Sequence, residues 1–185
     1  MTPRTIKRLA RRAAETSRCP VLYHPAVVVE LNDVIEVYFQ EWHSVVGRRK
    51  FTAFVAAHLF DDEYGKLDGL VCPRHQWIVV DDHAVARSRA DLVATLVHEA
   101  AHVVTGYCDV NLPDFLADVG HLFDHGPAWG HRMALAAQVA WSRGEQELAE
   151  LLWQDAEDAR HHWNDVGPDI TELLGGMPEL RPWFG

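Results

Sequence analysis

Residues 95–104 read Thr-Leu-Val-His-Glu-Ala-Ala-His-Val-Val. His98, Glu99 and His102 therefore form the pattern H-E-x-x-H. On a helix, positions i and i+4 lie on one face, so His98 and His102 can converge on a single tetrahedral zinc. Glu99 neighbours them and can reach a water on that metal. Zinc lowers the pKa of such a water to about 7, and Glu99 would take its proton and later deliver it to a leaving amine. The pattern has only three fixed positions and arises by chance in unrelated helices. Here its flanks are apolar and helical, which puts polar groups in the middle of a buried helix. Unpaired, those groups would be costly to bury; a metal and a cleft account for them.

A catalytic zinc needs a third protein ligand and one open position. The metzincin continuation would require glycine at 105 and histidine at 108, where this chain has Thr105 and Cys108. A downstream glutamate ligand does not fit either, because no glutamate occurs between Glu99 and Glu145. The candidates left are His121, His125 and His131, with Asp114, Asp118 and Asp124. His125 precedes Gly126, Pro127, Ala128 and Trp129 at the start of an expected helix. A ligand on a helix-entry loop can turn toward the metal while the helix packs behind it. His121 is spaced i, i+4 from His125 and remains a rival. Asp118 and Asp124 are candidates to orient the ligand histidines. His131 and Arg132 are candidates to stabilise an oxyanion.

H-E-x-x-H followed by H-G-P-x-aromatic, here His98 to His102 and His125 to Trp129, resembles the SprT-like metallopeptidases, the family that includes Spartan. The resemblance implies that His98, His102 and His125 bind one zinc per chain and that Glu99 is the catalytic acid/base. It also implies a zincin-like fold, with a helix and strands ahead of the active-site helix, and protein or peptide substrates. Spartan-type members act on proteins attached to DNA. Many relatives carry a C-terminal zinc ribbon of four cysteines, whereas no cysteine follows Cys108 here. The likeness is thus to a minimal or divergent member.

The elements that must position these residues can be traced by periodicity. Residues 30–46 place Leu31, Val34, Ile35, Tyr38, Trp42 and Val45 at helical spacing, with Gly47 as a stop. Residues 51–60 suit a strand, 61–69 a turn or hairpin loop, and Trp77 to Val80 a second strand. That second strand precedes the active-site helix and is expected to lie along the cleft and pair with an extended substrate. Cys72 to His75 reads as a turn before it. Ser88 to Asp91 matches the S-x-x-D helix start, and the helix continues through Thr105 to a stop at Gly106. Residues 107–125 are irregular, with a short helix expected from Pro113 to Leu122. Pro127 opens a helix to about Arg143, and another runs from Glu145 to about Trp163. The whole reads as α+β. A basic arm at 1–25, interrupted by Pro20 and Pro25, stands apart from a zincin-like domain at 26–163 and an irregular tail at 164–185.

The 185 residues can bury a core without staples. Cys19, Cys72 and Cys108 are widely spaced, include no C-x-x-C, and suit reduced thiols in the cytoplasm. No apolar run is long enough for a bilayer, and the basic start lacks the apolar core of a secretory signal. Arginine-rich, acid-poor starts also occur in organelle transit peptides. The net charge of −10 is uneven: six basic residues against Glu15 give residues 1–18 a charge of +5, which leaves −15 on the rest. That split motivates weak, non-specific DNA binding by the arm, against which the acidic body would act. The function expected is a zinc-dependent metalloendopeptidase. Its rival is a non-catalytic protein that keeps zinc as a staple. Glu99 discriminates, since a structural site has no need of an acid/base.

Overall fold

A computed structural model of the chain describes residues 2–40, 42, 50–59, 61–62, 65–66, 68–72, 75–105, 125 and 127–162. Helix α1 (Pro3–Ser17) leads into strand β1 (Val21–Tyr23) and helix α2 (Pro25–Tyr38). Strands β2 (Thr52–Ala56), β3 (Asp61–Asp62), β4 (Gly65–Lys66), β5 (Gly69–Cys72) and β6 (Trp77–Asp81) follow. Helices α3 (Asp82–Arg87), α4 (Arg89–Val104), α5 (Pro127–Ser142) and α6 (Gln146–His162) complete an α+β architecture. The expected stops at Gly47 and Gly106, the helix at 113–122 and the tail from 164 lie outside the described residues.

The main sheet has the order β1-β2-β6-β5. β2 and β6 run parallel, while β1 and β5 flank them antiparallel. In the central pair Ala53 is opposite Ile78 and Phe54 opposite Val79, so each face carries matched neighbours. Ala53, Ile78 and Val80 join the helical core with α2, α4, α5 and α6. Phe54, Ala56, Trp77 and Val79 point the other way and pack with Leu9 and Ala13 of α1. A strand covered on both faces reads as a continuous apolar run, which explains why Trp77-Ile78-Val79-Val80 shows no polar alternation. β3 and β4 form the small hairpin expected between 61 and 69.

The basic N-terminal segment does not stand apart. Thr2 caps α1 by accepting from the Thr5 N–H at 3.3 Å, and Pro3 occupies the first turn. Leu9, Ala13 and Ser17 recur every fourth residue as a buried stripe. After Pro20 the chain enters β1, whose Leu22 pairs with Val55 of β2. The abundance of arginine hid this amphipathic pattern, because its apolar side is narrow. Pro25 is likewise no interruption. It starts α2 about five residues ahead of the expected helix, with His24 Nδ1 accepting from the Val27 N–H at 3.3 Å. Proline suits that position because the first turn needs no N–H and its φ is already helical. α2 ends at Tyr38, ahead of the expected 46.

The substrate-facing role expected of Trp77 to Val80 also needs correction. β6 is internal, with β2 on one side and β5 on the other, and all five of its residues are buried. Its hydrogen-bonding edges are taken. β5, a short Gly-Leu-Val-Cys run between the loop expected at 61–69 and the turn expected at 72–75, is the edge strand of the described sheet next to the active-site helix. Short edge strands carry little periodic signal.

Around the site, the start of α4 is fixed by Ser88. Its hydroxyl accepts from the Asp91 N–H at 3.0 Å and donates to the Asp91 carboxylate at 2.8 Å. A forked pair from Arg89 to Glu30, at 3.0 and 3.3 Å, ties α4 to α2. α5 and α6 form an antiparallel hairpin whose turn residue Glu145 accepts from the Tyr38 hydroxyl at 2.6 Å. Burial and then Glu145 push the Tyr38 phenol above its ordinary pKa. α6 crosses α5 closely where Gly130 meets Ala159: a Cβ on Gly130 would lie 3.1 Å from the Ala159 methyl. No helix among the described residues is long and apolar enough to cross a membrane.

Candidate metal centre and cleft

α4 presents His98 and His102 one turn apart on the face toward α5, their ring centroids 5.1 Å apart. His102 is buried and His98 half-buried. His125, just ahead of α5, brings its ring to 4.9 Å from His98 and 5.0 Å from His102. Its Nε2 lies 3.0 Å from the Nε2 of His98. Trp129, in the first turn of α5 and buried, packs against all three imidazoles at 4.4 to 5.4 Å. Its indole N–H donates to the His98 carbonyl at 3.3 Å, which pins the entry of α5 to the middle of α4.

The three histidines form a group able to hold a metal ion, each offering a ring nitrogen within 4.8 Å of the others. Two nitrogens bound tetrahedrally to zinc at about 2.0–2.1 Å would stand about 3.3 Å apart. The 3.0 Å between the Nε2 atoms of His98 and His125 is close to that separation. The donor set, three imidazoles, is also the chemistry of a catalytic rather than a closed thiolate site. The fit is therefore good in both spacing and chemistry. Asp81, Asp82 and His83 are a second cluster of metal-capable side chains. There the buried Asp81 carboxylate accepts from the backbone N–H groups of Leu59 at 2.7 Å and His83 at 2.8 Å, so it caps α3.

Comparison with protein-family models, with curated proteins and with solved structures gives no match to this chain. What the site can do is therefore argued from its own geometry.

His98 and Glu99 open onto a cleft of about 480 Å³. One wall is Asp68 and Gly69 at the start of β5; the other is Leu151, Gln154, Asp155 and Asp158 of α6. Those α6 positions follow i, i+3, i+4, i+7 spacing, so a single helical face supplies the wall. Arg87 also lines the cleft, but its charge is paired with Asp68 at 2.6 Å and, more loosely, with Asp91 at 3.6 Å. Glu99 is only 5% exposed. β5 passes so close to it that a Cβ at Gly69 would lie 2.6 Å from Glu99 Oε1 and 2.8 Å from Thr95 Cγ2. Glycine is needed there for close approach. Gly69→Ala is expected to displace the Glu99 carboxylate and lower hydrolysis about 10- to 100-fold, in line with a small misplacement of a reacting group. Metal content should stay at the wild-type level. Kinetics and metal analysis on the same preparation check this; unchanged turnover would show that Glu99 has room to spare.

The structure thus brings His98, Glu99, His102 and His125 to one place. His121, Asp114, Asp118 and Asp124 lie outside the described residues. His131 and Arg132 are absent from the described residues that line the cleft. The His131 ring is half-buried, and burial with the adjacent Arg132 lowers its pKa below the usual histidine value. Of the turn expected at 72–75, Cys72 ends β5 and its carbonyl accepts from the His75 N–H at 3.1 Å, while residues 73–74 lie outside the described residues. One contact had no counterpart in the sequence reading: Asp155 of α6 lies 3.0 Å from His98 Nδ1. The only advance signal was the polar face of α6 at 154, 155 and 158, within a helix otherwise acidic on its solvent side.

Proposed function

We propose that the chain is a zinc-dependent metallopeptidase of the SprT-like kind, with a zincin-like domain that cleaves peptide bonds in protein substrates. The observation that carries the reading is the convergence of His125 on His98 and His102 beside the buried Glu99 at the cleft. Zinc, when bound, would supply Lewis acidity toward the scissile carbonyl and the attacking water. Glu99 would accept the proton of that water on a carboxylate oxygen and pass it to the departing amine. An extended substrate would add to the outer edge of β5, the strand whose Gly69 packs directly against Glu99. Backbone pairing of that sort carries little sequence preference. The decisive measurement is metal content together with hydrolysis of an unfolded protein such as casein. About one zinc per chain is expected, with activity lost to a chelator and restored by zinc. A chain that never retains zinc, even when refolded with it, ends the proposal.

Nucleic-acid association is the second part of the proposal. Arg4, Lys7, Arg8, Arg11, Arg12 and Arg18 are all exposed on or beside α1, whose opposite side is in the core. Truncating residues 1–18 would uncover Phe54, Trp77 and Val79, so charge reversal is the cleaner test. Arg4→Glu with Lys7→Glu and Arg8→Glu should abolish retention on single-stranded DNA at about 50 mM salt and leave casein hydrolysis intact. Equal retention of the variant and wild type would move the contact elsewhere.

A further inference from the structure

We infer that Asp155 is a positioning residue for the metal centre, fixing the His98 imidazole in the tautomer that turns its Nε2 lone pair toward His125. The inference rests on the metal-centre reading above and extends it to α6, an element outside both sequence motifs.

A neutral imidazole has one N–H and one lone pair, and an ionised carboxylate only accepts. Both His98 nitrogens have defined neighbours: Asp155 Oδ2 at 3.0 Å from Nδ1, and His125 Nε2 at 3.0 Å from Nε2. With the carboxylate on Nδ1, the proton resides there and Nε2 is left as the donor nitrogen. The contact also draws electron density toward Nε2 and makes it a better ligand, as carboxylate partners of metal-bound histidines generally do. The His98 carbonyl is held at the same time by the Trp129 indole, so backbone and ring are both anchored. Asp155 is delivered by packing rather than by chain proximity. Its neighbours Leu152, Trp153, Ala156 and Ala159 are buried, and the close crossing at Gly130 and Ala159 sets the register of α6 on α5. α5 and α6 thus each contribute one hold on this residue of α4.

Zinc affinity of the full chain, measured by competition with a chromogenic chelator, tests the assignment. Asp155→Ala is expected to bind Zn²⁺ about 10- to 100-fold more weakly than wild type. Asp155→Asn should recover part of that loss, because its amide oxygen accepts the same Nδ1 proton. Glu150→Gln, which removes a charge from the exposed side of α6, should match wild type. Melting midpoints of the metal-free proteins should coincide, while zinc raises the midpoint of Asp155→Ala less than that of wild type. Equal zinc affinity of wild type and Asp155→Ala, or a loss confined to the metal-free midpoint, overturns the assignment alone. A wild type that binds no zinc overturns the metal-centre reading and this assignment with it.

Discussion

Glu99→Gln is expected to keep its zinc and lose peptide hydrolysis by about 10²- to 10⁴-fold, the range that a positioned general acid/base contributes. The substitution is nearly isosteric, which matters at a side chain only 5% exposed and wedged beneath Gly69. An amide fills the same space but cannot take a proton from water at neutral pH. None of the three histidines is touched, so metal content should remain about one per chain. Parallel metal analysis and casein hydrolysis of wild type and variant separate the two effects. Undiminished turnover would make the glutamate a bystander, whereas zinc binding with no hydrolysis by wild type would return the chain to the rival reading, a zinc-stapled binding protein.

The second large effect expected is at His125. His125→Ala should lose stoichiometric zinc, and with it all metal-dependent hydrolysis. The two histidines of α4 can supply only two ligands, and the third comes from 23 residues beyond His102 in the chain. Its ring is held among three neighbours, with Trp129 at 4.4 Å, so no other described histidine can take its place without moving α5. His121→Ala is expected to cost less zinc than His125→Ala. Chelator competition on both variants decides the order, and the reverse ranking would transfer the ligand to His121 and remove the H-G-P-x-W basis of the SprT-like reading.

The features of this protein that can be read directly from its residues are the local ones. Helix α4 was legible because the Ser88 cap, the apolar flanks and the i, i+4 histidines all act within a few turns. Trp77 to Val80 was legible as a strand from its β-branched and aromatic composition, and Pro127 as a helix start from its fixed φ. His125 stood among several candidates on spacing alone; the likeness to a family motif singled it out, and the structure sets its ring against His98 and His102. Tertiary structure decided the rest. Whether β6 or β5 forms the open edge depends on which strands pair with it, and no residue within β6 encodes that. Whether α1 is an arm or a layer depends on Phe54 and Trp77, some 40 to 70 residues away, needing a cover. Asp155 looks like any solvated acid on an acidic helix until the α5–α6 hairpin folds back over α4. Local signals report propensity and capping, which each segment carries with it. Strand neighbours, layer order and the partner of a ligand nitrogen arise from contacts between distant segments, fixed only when the whole core is packed.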